Sequence, residues 1–130
     1  MTKPNRTQLA EINIRFADAF NRDDLDGVME FFTEDAIYVE FNGKENRGKE
    51  KIREAFEPQF RGDFGPVRFH PEDFFADEEA GKALARWRCT LEIDGKPQEW
   101  EGLDIFHFEG SLIKEKHTYA HAPIPLLKET

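Results

Sequence analysis

The chain has one cysteine, Cys89, so no intrachain disulfide can form. Its neighbours at period two, Trp87 and Leu91, mark it as a small buried hydrophobe rather than a reactive thiol. Positive charge is scarce: 18 Lys and Arg stand against 27 Asp and Glu, a formal net charge of −9. That balance argues against nucleic-acid backbones and anionic membranes as partners, because both need basic faces. The basic residues Lys44, Arg47, Lys49, Lys51 and Arg53 are interleaved with Glu45, Glu50 and Glu54, which reads as a solvated helix face. No apolar run reaches membrane-span length, and the stretch Met1 to Thr7 lacks the apolar core of a signal peptide. A cytoplasmic location is the expectation. Repeats, low-complexity stretches and internal linkers are missing, as are a glycine-rich phosphate loop, a nucleophile elbow and a Cys–His pairing.

What is present suits one soluble domain over residues 1–130, with 38% apolar and 35% charged residues and thirteen phenylalanines for the interior. Leu9, Ile12, Phe16, Ala19 and Phe20 recur at helical spacing, with Asn5 or Thr7 as N-cap. Asp24 caps a second helix, Leu25 to Phe32, and Thr33-Glu34-Asp35 reads as a turn. Ala36 to Phe41 alternates as a strand ending at Asn42-Gly43, a strong turn signal. A third helix runs from Lys49 to Phe60. Four strands follow, Val67–Ala76, Lys82–Ile93, Gln98–Phe108 and Leu112–His121, separated at hairpin lengths. The pattern predicts an α+β fold, with helices on one face of a curved, mainly antiparallel sheet. Strong twist would hollow the sheet around an apolar pocket. The tail Ala122 to Leu127, apolar and proline-spaced, suits capping the pocket mouth or reaching a partner subunit.

The stretch Trp100 to Phe108 carries the first chemical signal. On a strand, Trp100, Asp104, Phe106 and Phe108 share a face, so a carboxylate sits among large aromatics. A carboxylate there must find a partner or stay protonated. The bland alternative is a structural carboxylate paired with Arg86 or Arg88 on the neighbouring strand.

On the last strand His117 and Tyr119 share a face with Ile113 and His121, while Lys114 and Lys116 point the other way. Charge placement turns the His117 face inward, making His117 a candidate acid–base group. His117 and His121 do not make a metal pair, since four residues of strand span about 13 Å. His70 and His107 add no ligand spacing, so no metal is expected. Alternation in the first strand puts Ile37, Val39 and Phe41 inward and Glu40 outward, unless a bulge re-aims the chain.

The segment Phe16-Ala-Asp-Ala-Phe-Asn-Arg-Asp-Asp-Leu-Asp-Gly-Val-Met-Glu-Phe-Phe-Thr-Glu-Asp-Ala36, with Gly48-Lys-Glu-Lys-Ile-Arg53 and Asp104-Ile-Phe-His-Phe-Glu-Gly110, resembles the nuclear-transport-factor-2-like superfamily. Within it, the chain is most similar to the SnoaL-like and ketosteroid-isomerase-like branches, over nearly its whole length. The resemblance implies a cone of helices on a curved sheet (a cystatin-like α+β barrel), an apolar pocket and often a homodimer. Matched residue by residue, the isomerase pattern puts its carboxylate base on Glu40. Its neutral, hydrogen-bond-donating aspartic acid falls on Asp104. Its first-helix tyrosine falls on Phe16, which has no hydroxyl, so Tyr38, Tyr119 or His117 would have to supply that donor.

The expected function is a cofactor-free acid–base enzyme, an isomerase or polyketide cyclase, acting on a small hydrophobic carbonyl compound. Asp104, Glu40 and His117 are its candidate catalytic residues, and Phe16, Tyr38, Trp100, Phe106 and Tyr119 its ligand contacts. A non-catalytic ligand-binding or dimerisation module is the rival reading, because fold alone does not fix function. Epoxide hydrolysis through an Asp–Arg–Asp arrangement ranks below both, since the second aspartate has no counterpart.

Overall fold

A computed structural model describes residues 3–121. Its elements are α1 (Arg6–Asn21), α2 (Leu25–Met29), β1 (Phe32–Val39), β2 (Glu45–Arg47), α3 (Lys49–Phe60), β3 (Arg68–Asp77), β4 (Lys82–Ile93), β5 (Lys96–Glu109) and β6 (Leu112–His121). The six strands form one curved sheet in the order β2-β1-β6-β5-β4-β3. Only β1 and β6 pair in parallel, and the remaining ladders are antiparallel. The sheet is mixed and, among the described residues, does not close: β2 and β3 are its edges, so the expected barrel is an open, curved α+β sheet. The tail 122–130 lies outside the described residues, and with it the role expected of Ala122 to Leu127. Among the described residues, no helix is long and apolar enough to cross a membrane.

Local signals account for most of the elements. Asn5 caps α1 in a full capping box, accepting from Gln8 N–H while the Gln8 side chain accepts from Asn5 N–H. Asp24 caps α2 through the Gly27 N–H. The buried stripe of α1 (Leu9, Ile12, Phe16, Ala19 and Phe20) is the one its periodicity predicts. Phe16 sits at the centre of edge-on contacts with Phe20, Phe31, Phe32 and Phe106, at centroid distances of 5.1–5.8 Å. Such pairs add about 0.5–1.5 kcal/mol each beyond area burial. The β4–β5 hairpin turns on Asp94 and Gly95, both at positive φ (53° and 76°), as a tight two-residue turn requires.

Two ladder irregularities set which side chains face inward. Between β5 and β6, Phe108 pairs with Ile113 but His107 pairs with Glu115, leaving Lys114 as an extra residue. A bulge of this kind reverses the alternation beyond it. Ile113 is therefore buried, and so are Lys116 and Thr118, whereas Tyr119 is exposed. The expectation that the His117 face looks inward is thereby corrected. Between β1 and β6 the register slips from Phe32↔Ile113 to Ile37↔Glu115. Thr33, Glu34 and Asp35, read from sequence as a turn, occupy that irregular stretch inside β1. Ala36 is fully buried, and Tyr38 and Glu40 follow it on the same side, reversing the face predicted for this strand.

Candidate functional site

Between α1, α3 and the concave face of the sheet lies a cavity of about 410 Å³. Its walls are mainly apolar: Phe16 and Phe20 from α1, Phe56 from α3, Trp87 and Leu91 from β4, and Trp100 from β5. Asp104, Lys116, Thr118, Tyr38 and Glu40 bring polar atoms to the same walls. A few convergent polar groups in a greasy cavity are the usual anatomy of a small-molecule site.

The centre of the polar group is Asp104, which is only 6% exposed. The Trp87 indole N–H donates to Oδ2 at 2.9 Å, and the Thr118 hydroxyl donates to Oδ1 at 2.5 Å. Lys116 Nζ lies 3.0 Å from Oδ1 and donates to Thr118 Oγ1 at 2.8 Å. Lys116 is itself 6% exposed, and its ammonium sits 4.5 Å from the centroid of the Tyr38 ring, a cation–π contact. The Tyr38 ring stacks on Phe56 at 4.8 Å. Burial raises the Tyr38 pKa above its ordinary value, reinforced by the nearby charges of Asp104 and Glu40, so the phenol stays a hydrogen-bond donor.

Backbone geometry explains why these groups meet. Ladder pairs Ala85↔Asp104, Trp87↔Gly102 and Asp104↔Thr118 place Trp87 diagonally from Asp104 on one side and Thr118 directly opposite on the other. Gly102 leaves the space that the Trp87 indole fills; a Cβ there would collide with that ring and come within 2.7 Å of the Tyr119 carbonyl oxygen. Just past the end of β1, Glu40 accepts from Asn46 Nδ2 at 3.0 Å, and the same amide donates to the Tyr38 carbonyl at 3.2 Å. Buried Asn46 thus fixes both the strand end and the carboxylate. At this end of the cavity Phe41 packs edge-on against Trp100 at 5.6 Å.

The sequence-predicted residues divide. Asp104, Glu40, Phe16, Tyr38 and Trp100 all line the cavity. Phe106 is buried in the core against Phe16 and Phe108 and does not reach it. Tyr119, 57% exposed, and His117 lie on the opposite face of the sheet, because the bulge at Lys114 turns them outward. Arg86 and Arg88 pair with Glu72, Glu99 and Glu101 rather than with Asp104, so among the described residues neither the structural pairing nor the Asp–Arg–Asp arrangement is present. Lys116, Thr118 and Trp87 were missed. The signal for Trp87 lay in the Asp94-Gly95 turn: counting back from a two-residue loop sets Gly102 against Trp87. Lys116 carried no such signal, since its parity depends on the bulge.

On the outer face, His117 Nε2 lies 2.8 Å from Glu115 Oε1, while His107 stands directly across the ladder from Glu115. The spacing argument that set His107 aside holds along one strand and fails across two.

A SnoaL-like domain model matches residues 14–116, a span that includes the C-terminal half of α1, most of the cavity lining, Asp104 and Lys116. The chain belongs to the SnoaL-like domain family. It thereby falls in the nuclear-transport-factor-2-like superfamily. Solved structures share the fold of this SnoaL-like domain at low sequence identity. Bal32a, from a soil-derived mobile gene cassette, is 21% identical with a TM-score of 0.77, over 88% of this chain and 90% of its own. A cystatin-fold protein from Novosphingobium aromaticivorans is 22% identical with a TM-score of 0.72, over 85% and 96%. TerC, co-crystallised with polyporic acid, is 12% identical with a TM-score of 0.76, over 88% and 92%. No curated protein gives a significant sequence match.

Proposed function

We propose that this SnoaL-like domain is a cofactor-free acid–base enzyme acting on a small, mostly apolar carbonyl compound, by isomerisation or a polyketide-type cyclisation. The observation that carries the proposal is the buried Lys116–Asp104 pair on the wall of an aromatic cavity. Asp104 is surrounded by donors (an indole N–H, a hydroxyl and an ammonium), so its part is that of an acceptor which positions Lys116. This revises the donating, protonated role that the isomerase pattern implied. Lys116, held against Asp104 and Thr118, supplies charge to an oxygen on which negative charge develops, where a fixed donor in a dry site is most effective. The Tyr38 phenol, kept protonated by burial, is a second donor. Glu40, anchored by Asn46 and lining the same cavity, is the group placed to take or return a proton. A hydrophobic carbonyl ligand also fits the likeness to TerC, whose crystals contain polyporic acid.

The test is a thermal-shift screen of hydrophobic ketones, enones and quinones, followed by product analysis for each compound that stabilises the fold. Turnover that falls at least ~10²-fold in Glu40→Gln with unchanged melting temperature supports the assignment. Turnover untouched by that change removes Glu40 from the mechanism. The second reading, a ligand-binding module without chemistry, is favoured by one specific feature: the Asp104 oxygens find their partners within the fold. Stabilising ligands that emerge unaltered would establish it.

The further readings of this chain as a cytoplasmic protein and a homodimer stand as proposals too. For the dimer, the support is the outward face of β5 and β6, where Tyr119 stands exposed beside Leu103, its ladder partner. Sedimentation analysis of Tyr119→Glu would reveal a monomer if that face joins two copies.

A further inference from the structure

On the side of the sheet away from the cavity, we propose a binding site for a divalent transition ion of the zinc class, formed by His107, Glu115 and His117. The three residues come from the β5–β6 ladder. His107 stands directly opposite Glu115, and His117 lies two residues beyond Glu115 on the same face. Their imidazole centroids are 5.6 Å apart, with the rings inclined at 52°. One ligand atom from each residue can be chosen so that all three lie within 4.8 Å of one another. A tetrahedral ion with bonds of about 2.0–2.2 Å holds its ligand atoms roughly 3.3–3.6 Å apart. Binding requires side-chain rotation to close the remaining difference.

Several features suit an ion here. The side chains of His117 and Glu115 are 29% and 30% exposed, so the ligands are partly desolvated yet reachable from solvent. All three stand on two hydrogen-bonded strands, which hold ligand side chains more firmly than loops do. Two imidazoles and one carboxylate select Zn²⁺, Co²⁺, Ni²⁺ or Cu²⁺ over Ca²⁺ and Mg²⁺, which require oxygen-rich shells. Three ligands leave at least one position for water. Two lysines face this group: Lys82, the ladder partner of His107, and Lys114 beside Glu115. Their charge sets the site's affinity below that of a fully closed structural zinc site. Lys116 lies between Glu115 and His117 in sequence but projects to the other side, so an ion here would brace the segment of β6 that carries the cavity's ammonium.

The experiment is titration of chelator-treated full-length protein with Zn²⁺ by calorimetry, and with Co²⁺ by visible absorption. One saturable ion per chain is expected, with a raised melting temperature. His107→Ala and His117→Ala should each weaken binding at least tenfold, whereas His70→Ala, on β3, should leave it unchanged. If either substitution perturbs folding, Ni²⁺ added to the native protein decides: NMR signals of His107 and His117 should broaden before those of His70 and His121. Absence of a 1:1 saturable event, or binding that survives in the double variant His107→Ala/His117→Ala, overturns the proposal.

Discussion

Two carboxylates on neighbouring strands, Asp104 on β5 and Glu115 on β6, meet opposite fates on the two faces of one sheet. Asp104 is buried on the cavity wall and receives an indole N–H, a hydroxyl and an ammonium. Glu115 is half-buried, with the imidazole of His117 at 2.8 Å and that of His107 across the ladder. The His117 hydrogen bond holds the Glu115 carboxyl below its usual range, while burial lowers the His107 imidazole. Desolvation makes the difference: inside, the Asp104 oxygens are matched within the fold, and the buried Trp100 indole N–H is left without a partner among the described residues, whereas outside, water supplies what side chains do not. The inner cluster is accordingly where a substitution costs stability, and the outer one is where a solute can compete for the ligands.

The sharpest contrast between the faces is kinetic. Cys89 lies on the inner wall, and burial pushes its pKa up to about 12. Its thiolate is therefore scarce at pH 8, and alkylation of the native protein should run more than ~10³-fold slower than that of an ordinary thiol with pKa about 8.5. A cysteine placed outside by Phe75→Cys, at a position 60% exposed on β3, should react at nearly the ordinary rate. Equal rates for Cys89 in the native protein and for the added thiol of Phe75→Cys would show that the inner wall is open to water. The linkage has a definite sign: above the ordinary thiol pKa the unfolded chain loses this proton first, so stability falls as pH rises towards the folded value.

Next in size is the ion pair. Lys116→Met leaves Asp104 buried without its ammonium and should cost about 3–5 kcal/mol in urea unfolding. Adding Asp104→Leu should restore much of that loss, because two apolar side chains need no partner. A cost below ~1 kcal/mol for Lys116→Met would mean that the pair is solvated and the comparison of faces fails. A smaller effect is expected from Gly102→Ala, whose methyl must displace Trp87 or the β6 backbone, at about 1–3 kcal/mol. Trp fluorescence would report the displaced indole. Smallest of all, Glu115→Gln should change metal-free stability by less than about 1 kcal/mol, as for a partly solvated ion pair.

Much of the architecture was legible in the residues. The α1 stripe, the Asp24 cap, the bounds of α3, β4 and β6, and the Asp94-Gly95 turn rest on contacts close in sequence, where periodicity and capping are reliable guides. The face shared by Trp100 and Asp104 was readable as well, because no bulge falls between them. Where the reading went astray, a bulge or a ladder slip intervened. One extra residue at Lys114 exchanged His117 for Lys116 at the cavity, and the irregular start of β1 carried Tyr38 and Glu40 inward.

Local sequence determined the course of α1, α3, β4 and β6, that the interior is aromatic, and that one acid of β5 lies among those aromatics, whereas it read the start of β1 as helix and turn and passed over β2. Tertiary structure alone decided the partners of that acid, the ammonium facing the cavity, and the gathering of two histidines and a glutamate on the far side. The reason is physical: alternation repeats every two residues, so a single inserted residue inverts a face, and its cost is set by neighbouring strands that the local sequence does not contain.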